Sequence, residues 1–393
     1  MTLSKPILLI FLDGLKPENV DKLEILQSLP YKGRIRGKYG YSIACHGSMY
    51  TGKEVSEHKN WFVWQRRVGQ GYLRHKIWRL RVFNTLVFRL LWHKFLIRKE
   101  RHSNSSFFGI PRVVNLRTKD LSDLLVTERM NYNEYGYMEN EKSFLDKFID
   151  KGYSIDFVGF SKKYKEESDI LKEWSPKEKF DITYWFLGDV DHFSHKYGQD
   201  SAEAKNCFNN LNKILLDAMN TYRSYYQEEP LILAWSDHGH AMINRFTDIY
   251  GVEELKPILA NTAHVVDATS IRLWKSFEDD TCWAKKINAF DKHLCPISDK
   301  LGIQEMKQSN LWPGDNRFGD VVYMLLKGEC FKRTIWGFSS DVVSQHGYNP
   351  NDPELDGFYA SNIIQSESDT SEINRIHDWA LDLLNVASGK IAP

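Results

Sequence analysis

Six side chains of metal-ligand type stand where this chain of 393 residues leaves its apolar runs or turns. Asp13 closes the run Pro6–Leu12, and Asp191 and His195 lie four apart just after 182–187. Asp237 and His238 follow 231–235 in Ser236-Asp237-His238-Gly239-His240, and His346 sits in Gln345-His346-Gly347-Tyr348. If the runs are neighbouring strands, the three aspartates converge, and converging carboxylates repel one another unless a cation lies between them. Carboxylate with neutral imidazole suits Zn²⁺ or Mn²⁺ better than Mg²⁺, which favours oxygen shells. Each feature also has an ordinary reading. An Asp after a strand serves as a turn or helix N-cap, and an Asp–His pair is commonly a satisfied hydrogen bond. His192 and His240 have no further support and are read as structural.

Such residues need a scaffold that brings strand ends together. Apolar runs of strand length recur at 6–12, 153–160, 182–187, 231–235 and 320–326. Near-continuous apolar runs suit central strands covered on both faces. Helical periodicity predicts helices over 17–28, 141–151, 202–226, 277–291 and 372–388. Alternation of the two argues for a layered α/β fold with a largely parallel central sheet and helices on both faces. Ligands bind beyond the carboxyl ends of strands in such sheets, where Asp13, Asp191 and Asp237 fall.

Composition narrows the class. Hydrophobic content of 42% with 26% charged residues provides a core and excludes a disordered chain. Lys+Arg and Asp+Glu both number 52, so nothing points to a nucleic-acid binder. Five scattered cysteines without a CxxC motif form no disulfide framework, which favours a reduced, cytoplasmic setting. No run approaches the ~20 apolar residues of a membrane span. The run 6–12 is too short for a signal segment, lacks a small-residue cleavage site and passes directly into Asp13-Gly14.

One segment differs from the rest. Residues 58–99 hold no Asp or Glu, while Arg and Lys recur among Trp61, Trp64, Trp78 and Trp92. This divides the chain into a catalytic part, 1–60 with 141–393, and a basic, aromatic-rich cap or insertion, 61–140. Within the cap, Leu73, Ile77, Leu80, Val87, Phe88, Leu91 and Phe95 share one helical arc over 72–98. The arc fits either packing on the catalytic part or peripheral docking on an anionic lipid surface, at the inner face of a membrane for a cytoplasmic protein.

The ordered pieces resemble the type I phosphodiesterase/nucleotide pyrophosphatase family of the alkaline phosphatase superfamily. Asp13-Gly14 is similar to its opening metal ligand, and Tyr41-Ser42-Ile43-Ala44-Cys45-His46-Gly47-Ser48-Met49-Tyr50-Thr51-Gly52 to its nucleophile segment. Asp191-x-x-x-His195 resembles its ligand pair, Ser236-Asp237-His238-Gly239 its Ser-Asp-His-Gly signature, and His346-Gly347-Tyr348-Asn349 its last ligand.

The resemblance implies a metal-dependent phosphodiesterase or phosphatase acting on a small-molecule or lipid-linked phosphoester through a phosphoserine. It also implies two divalent ions, Zn²⁺ or Mn²⁺. One would be held by Asp191, His195 and His346, the other by Asp13, Asp237, His238 and the Ser42 hydroxyl. Ser42 would be the nucleophile, and water would release the phosphate. The same site allows transfer of a phospho-alcohol headgroup to a glycan or lipid acceptor. A degenerate scaffold that only binds is disfavoured by the full set of donors. Two departures stand out. Ala44 and Cys45 replace the family's Pro and Asn after the nucleophile, and the register of its phosphate-contacting Asn falls at Val63, leaving Asn60 as the candidate substitute. Sulfatase chemistry is disfavoured by Ala44 and His46, which stand where that chemistry needs Pro and Arg.

Overall fold

A computed structural model describes residues 3–70, 123–128, 130, 132–139, 141–159, 166–335, 337–339 and 341–390. The arc over 72–98 lies outside these residues. Eleven strands form its two main sheets. They are β1 (Ile7–Leu12), β2 (Tyr31–Arg36), β3 (Ile155–Val158), β4 (Ile182–Leu187), β5 (Leu231–Trp235), β6 (Ala263–Val266), β7 (Ser270–Trp274), β8 (Ser298–Gly302), β9 (Val321–Leu325), β10 (Gly357–Ser361) and β11 (Thr370–Glu372). The helices that matter here are α1 (Ser42–Thr51), α2 (Phe144–Asp150), α3 (Asp189–Tyr197), α4 (Ala202–Tyr226), α5 (Asp280–Leu294) and α6 (Arg375–Ala387).

The central sheet runs β11-β2-β10-β5-β1-β4-β3, and only β10 is antiparallel to its neighbours. The apolar runs explain its middle. Alternate residues of β1 enter opposite cores: Ile7, Leu9 and Phe11 face α1, α2 and α6, while Leu8, Ile10 and Leu12 face α4. A strand covered on both faces needs apolar residues at every position, which is why β1, β4 and β5 read as unbroken runs. The run 6–12 is thus the central strand, paired with β4 on one side and β5 on the other.

Helix α4 shows the matching logic at period 3.6. Ser201 caps it by accepting from Ala204 N at 3.0 Å, and Phe208, Leu211, Leu215 and Tyr222 line its buried face. Each such side chain contributes roughly 1.5–3 kcal/mol by leaving water. The helix spans Ala202–Tyr226, where the sequence pattern at about 202–226 places one.

The run 320–326 departs from expectation. It forms β9, but in a second, four-stranded antiparallel sheet ordered β6-β7-β9-β8. Val321, Tyr323 and Leu325 face α5, while Val322 and Met324 meet Trp61, Phe62 and Phe318. Burial on both faces, the property the run reports, does not distinguish parallel from antiparallel pairing. The described ends of 61–140 are built into the body: Trp64–Arg66 pairs with Leu124–Val126, and Tyr132 and Tyr137 pack on the central sheet. No helix among the described residues is long and apolar enough to cross a membrane, and all five cysteines are free.

Candidate active site

The carboxyl ends of β1, β4 and β5 lie side by side, and the residues just beyond them form one patch. Asp13 follows β1 and is tied to its neighbour by Asp13 N donating to Leu187 O at 2.9 Å. Beyond β4 the chain turns straight into α3, so Asp191 and His195 sit one turn apart on one helix face. Beyond β5, Asp237 is fully buried, with Oδ1 accepting from Gly14 N at 3.2 Å. Gly14 has a φ of +71°, the left-handed turn that lets its N–H point back at Asp237.

Ser42 opens α1, and Gly52, with a φ of +73°, closes it. The residue before Ser42 fixes this helix end: Tyr41 Oη accepts from Thr269 N at 2.8 Å, and its ring edge meets His346 with centroids 5.7 Å apart. The hairpin between β6 and β7 therefore anchors the candidate nucleophile from the second sheet. Ser42 Oγ lies 2.9 Å from His238 Nε2. His238 Nδ1 lies 3.1 Å from Gly239 O, which places its proton on Nδ1 and leaves the Nε2 lone pair facing Ser42. His195 is arranged alike, with Nδ1 donating to Ser344 O at 3.0 Å.

Three sets of donors converge, each within 4.8 Å: Asp13, Asp237 and His238; Asp191, His238 and His346; and Asp191, His195 and His240. Every residue of the two implied ligand sets is present in the patch. The grouping differs, however, because His195 lies with His240 and His346 lies with His238. Asp191 Oδ1 is the hub, at 3.3 Å from His195 Nε2, 3.5 Å from His346 Nε2 and 2.9 Å from His240 Nε2. Asp13 Oδ1 and Asp237 Oδ2 are buried without hydrogen-bond partners, an arrangement expensive for carboxylates unless a cation takes their lone pairs. These orphaned oxygens, together with imidazoles whose remaining lone pairs face inward, fit divalent metal ions.

The electrostatics agree. Burial, then the charges of Asp237 and Asp191, pushes the Asp13 carboxyl well above its ordinary range. Burial pulls His240 down to about 4 and, with His238 adding to it, holds His346 well below its ordinary value. At Asp191 burial acts upward but is outweighed by His195 and His240, which hold the carboxyl well below its usual range. His195 is raised, because Asp191 and Ser344 O outweigh its burial. A protein-only site must carry this tension, whereas a cation removes it.

A cavity of about 430 Å³ opens on the patch, with Ser42, Asp13, Asp191, His195 and His346 in its wall. Tyr41, Ile43, Val63 and Tyr132 add aromatic and aliphatic surface, and Thr334 and Ser339 add hydroxyls. No Lys or Arg is among the described residues lining it. Asn60 does not line it: its amide turns to Met138 Sδ at 3.5 Å, and Val63 takes the place facing the cavity. The cause is the burial of Trp61 and Phe62 against Phe318, which sets the direction of the chain there. His192 is exposed, in keeping with a surface role. His240, read from sequence as structural, lies with Nε2 2.9 Å from Asp191 Oδ1; it stands two residues past a recognisable pair, with no spacing signal of its own.

A layered α/β body thus gathers a hydroxyl, carboxylates and imidazoles at the ends of its central strands. A model of the type I phosphodiesterase / nucleotide pyrophosphatase family matches residues 7–275, more than half of the chain. The chain belongs to that family and is an enzyme of its class, a phosphoester hydrolase. A search of curated proteins finds no significant match. Among solved structures, human ectonucleotide pyrophosphatase / phosphodiesterase 5 is similar at a TM-score of 0.65 and 11% identity, covering 97% of this chain and 95% of that one. The murine protein matches at 0.64 and 11%, covering 98% and 96%. Its inactive threonine-to-alanine variant in complex with AMP matches at 0.65 and 11%, with the same coverage. At that identity the likeness shows a shared fold over nearly the whole chain.

Proposed function

We propose that this chain hydrolyses phosphodiesters or phosphomonoesters with Ser42 as nucleophile, at a site holding two divalent cations, of which Zn²⁺ is the first choice and Mn²⁺ the second. Asp13, Asp237, His238 and the Ser42 hydroxyl would hold one cation, and Asp191 would hold the other with His195 and His346, whose Nε2 atoms lie 3.3 and 3.5 Å from its Oδ1. The observation that carries the reading is the 2.9 Å approach of Ser42 Oγ to His238 Nε2, beside two buried carboxylate oxygens without partners.

When bound, such cations stabilise a serine alkoxide near neutral pH and neutralise charge on the phosphoryl oxygens. The chain's own residues supply position. Ser42, at the first turn of α1, presents Oγ to the cavity, and the turn's backbone N–H groups favour an anion there. Ser42 Oγ forms the bond to phosphorus as the ester oxygen leaves, and its proton passes to solvent. Water then cleaves the serine phosphoester and regenerates the hydroxyl. Tyr41, held by Thr269, keeps Ser42 and His346 in register through both steps.

The test is turnover of an aryl phosphodiester and an aryl phosphomonoester by wild type and Ser42→Ala, with circular dichroism and metal content measured on both. Ser42→Ala should keep its fold and most of its metal while losing turnover by at least a thousandfold. Near-wild-type turnover in that variant would remove Ser42 from the chemistry. The Val63 wall supports uncharged organic groups beside the phosphoryl, and the AMP complex of the murine neighbour makes an aryl ester of AMP a useful third probe.

A further inference from the structure

His240 lies 1% exposed behind the cavity, and its two ring nitrogens have different surroundings. Nδ1 is 3.2 Å from Ser344 Oγ, and Nε2 is 2.9 Å from Asp191 Oδ1. The serine settles which nitrogen carries the proton. Ser344 has a single hydroxyl hydrogen, and it donates that to Ser194 O at 2.6 Å. Its oxygen can therefore only accept from His240, so the imidazole proton sits on Nδ1. In the neutral ring Nε2 is then a bare lone pair, directed at a carboxylate oxygen that is also an acceptor. Two acceptors at 2.9 Å repel unless something positive lies against both. Burial disfavours the charged ring as a solution.

We infer that His240 Nε2 is a further metal donor, binding with His195 and Asp191 the cation proposed for the Asp191 side of the site. The inference rests on the reading given under Proposed function. Separations around Asp191 Oδ1 suit it: a tetrahedral shell with bonds near 2.0–2.1 Å spaces its donors by about 3.3 Å. The observed values are 2.9 Å to His240, 3.3 Å to His195 and 3.5 Å to His346. His240 and His195 also share one donor group, while His346 belongs with His238. The backbone is shaped for this approach. Gly14 passes so close that a Cβ there would fall 2.9 Å from His240 Nε2, so the glycine leaves room for the ring. The consequence is specificity. A further imidazole moves this position toward Zn²⁺ and away from Mg²⁺.

The test uses full-length wild type, His240→Ala and His240→Gln, each loaded with Zn²⁺. Affinity is measured by competition with a chromophoric chelator, and the number of imidazoles per zinc by X-ray absorption. Wild type should bind two equivalents. His240→Ala should weaken one of them at least tenfold and lower the mean imidazole count, with little change in the other. His240→Gln keeps a group that can hydrogen-bond Asp191 but offers no imidazole, so it should show the same loss of count. An unchanged imidazole count in both variants, or full affinity in His240→Gln, would overturn the inference and leave His240 as a partner of Asp191 only. Absence of metal from wild type would instead remove the reading beneath it.

Discussion

Gly14→Ala places a single methyl group at the point where three strand ends meet. Gly14 has a φ of +71°, and a side chain in the left-handed region costs about 1–2 kcal/mol. The methyl would also meet His240 Nε2 at 2.9 Å and Asp191 Cα and Cβ at 3.2 Å. Ordinary contacts begin near 3.5 Å, so the turn must move by roughly 0.3–0.6 Å. Asp191 Cα belongs to the backbone of α3 and yields little. The displacement therefore falls on Gly14 itself, and with it on Asp13 and on the Gly14 N–H bond to Asp237. Since misplacement by about 1 Å costs on the order of a hundredfold in rate, half of that should cost about tenfold. Gly152→Ala is the control, because Gly152 has a φ of +81° and nothing within 4 Å of the added methyl. Both variants should lose the same 1–2 kcal/mol in chemical denaturation for the left-handed residue. Only Gly14→Ala should lose metal affinity and turnover besides. Wild-type metal affinity and turnover in Gly14→Ala would refute the placement of Asp13, Asp191 and His240 around one site.

Three further outcomes are expected. Glu128 is buried, its carboxyl raised to about 8 by desolvation, with Tyr137 donating to it. The native state thus holds a proton that the unfolded chain releases near 4.3, and stability should fall as pH rises from about 4.3 to 8. Glu128→Gln should flatten that slope in denaturant titrations at pH 5 and 8; an equal slope in both proteins would contradict the burial. Gln199 donates to Gly14 O at 2.5 Å while accepting from Asn19 Nδ2 at 2.8 Å and Lys16 N at 3.3 Å, so Gln199→Ala should cost on the order of 3 kcal/mol in denaturation and weaken metal binding through the same turn. Because burial and the neighbouring carboxylates raise Asp13, and Asp191 raises His195, above their ordinary values while burial keeps His240 and His346 neutral, metal binding at pH 6 should displace protons from Asp13 and His195. Calorimetry in buffers of different ionisation enthalpy should show that release, and His195→Gln should remove only the His195 share of it.

The residues legible in the sequence are those whose position is dictated by a neighbouring apolar run. Asp13, Asp191 and Asp237 each follow a central strand covered on both faces, so strand recognition located them, and His195 followed from one helical turn. His238 follows the same strand as Asp237, and His346 is marked by its residue type in a Gly-containing loop, whereas Ser42 enters only through motif resemblance, because nothing in its local periodicity marks it. What stayed hidden depends on long-range packing. His240 gains its meaning from Ser344, and Tyr41 from Thr269, both far along the chain. Asn60 was misplaced because the burial of Trp61 and Phe62 decides which way that loop faces. The antiparallel sheet of β6–β9 escaped for a related reason: β8, Ser298–Gly302, carries Asp299 and Lys300 on a partly exposed edge and reads as loop.

The central claim, catalysis that needs cations at the Asp13–Asp191–Asp237 patch, is tested most directly by stripping the protein with a chelator and following aryl phosphodiester turnover as Zn²⁺ is returned. Turnover should be lost in the metal-free protein, recover in proportion to bound zinc up to two equivalents per chain, and not recover in an Asp237→Ala variant that is shown to be folded. Undiminished turnover by protein verified to be free of metal would contradict it.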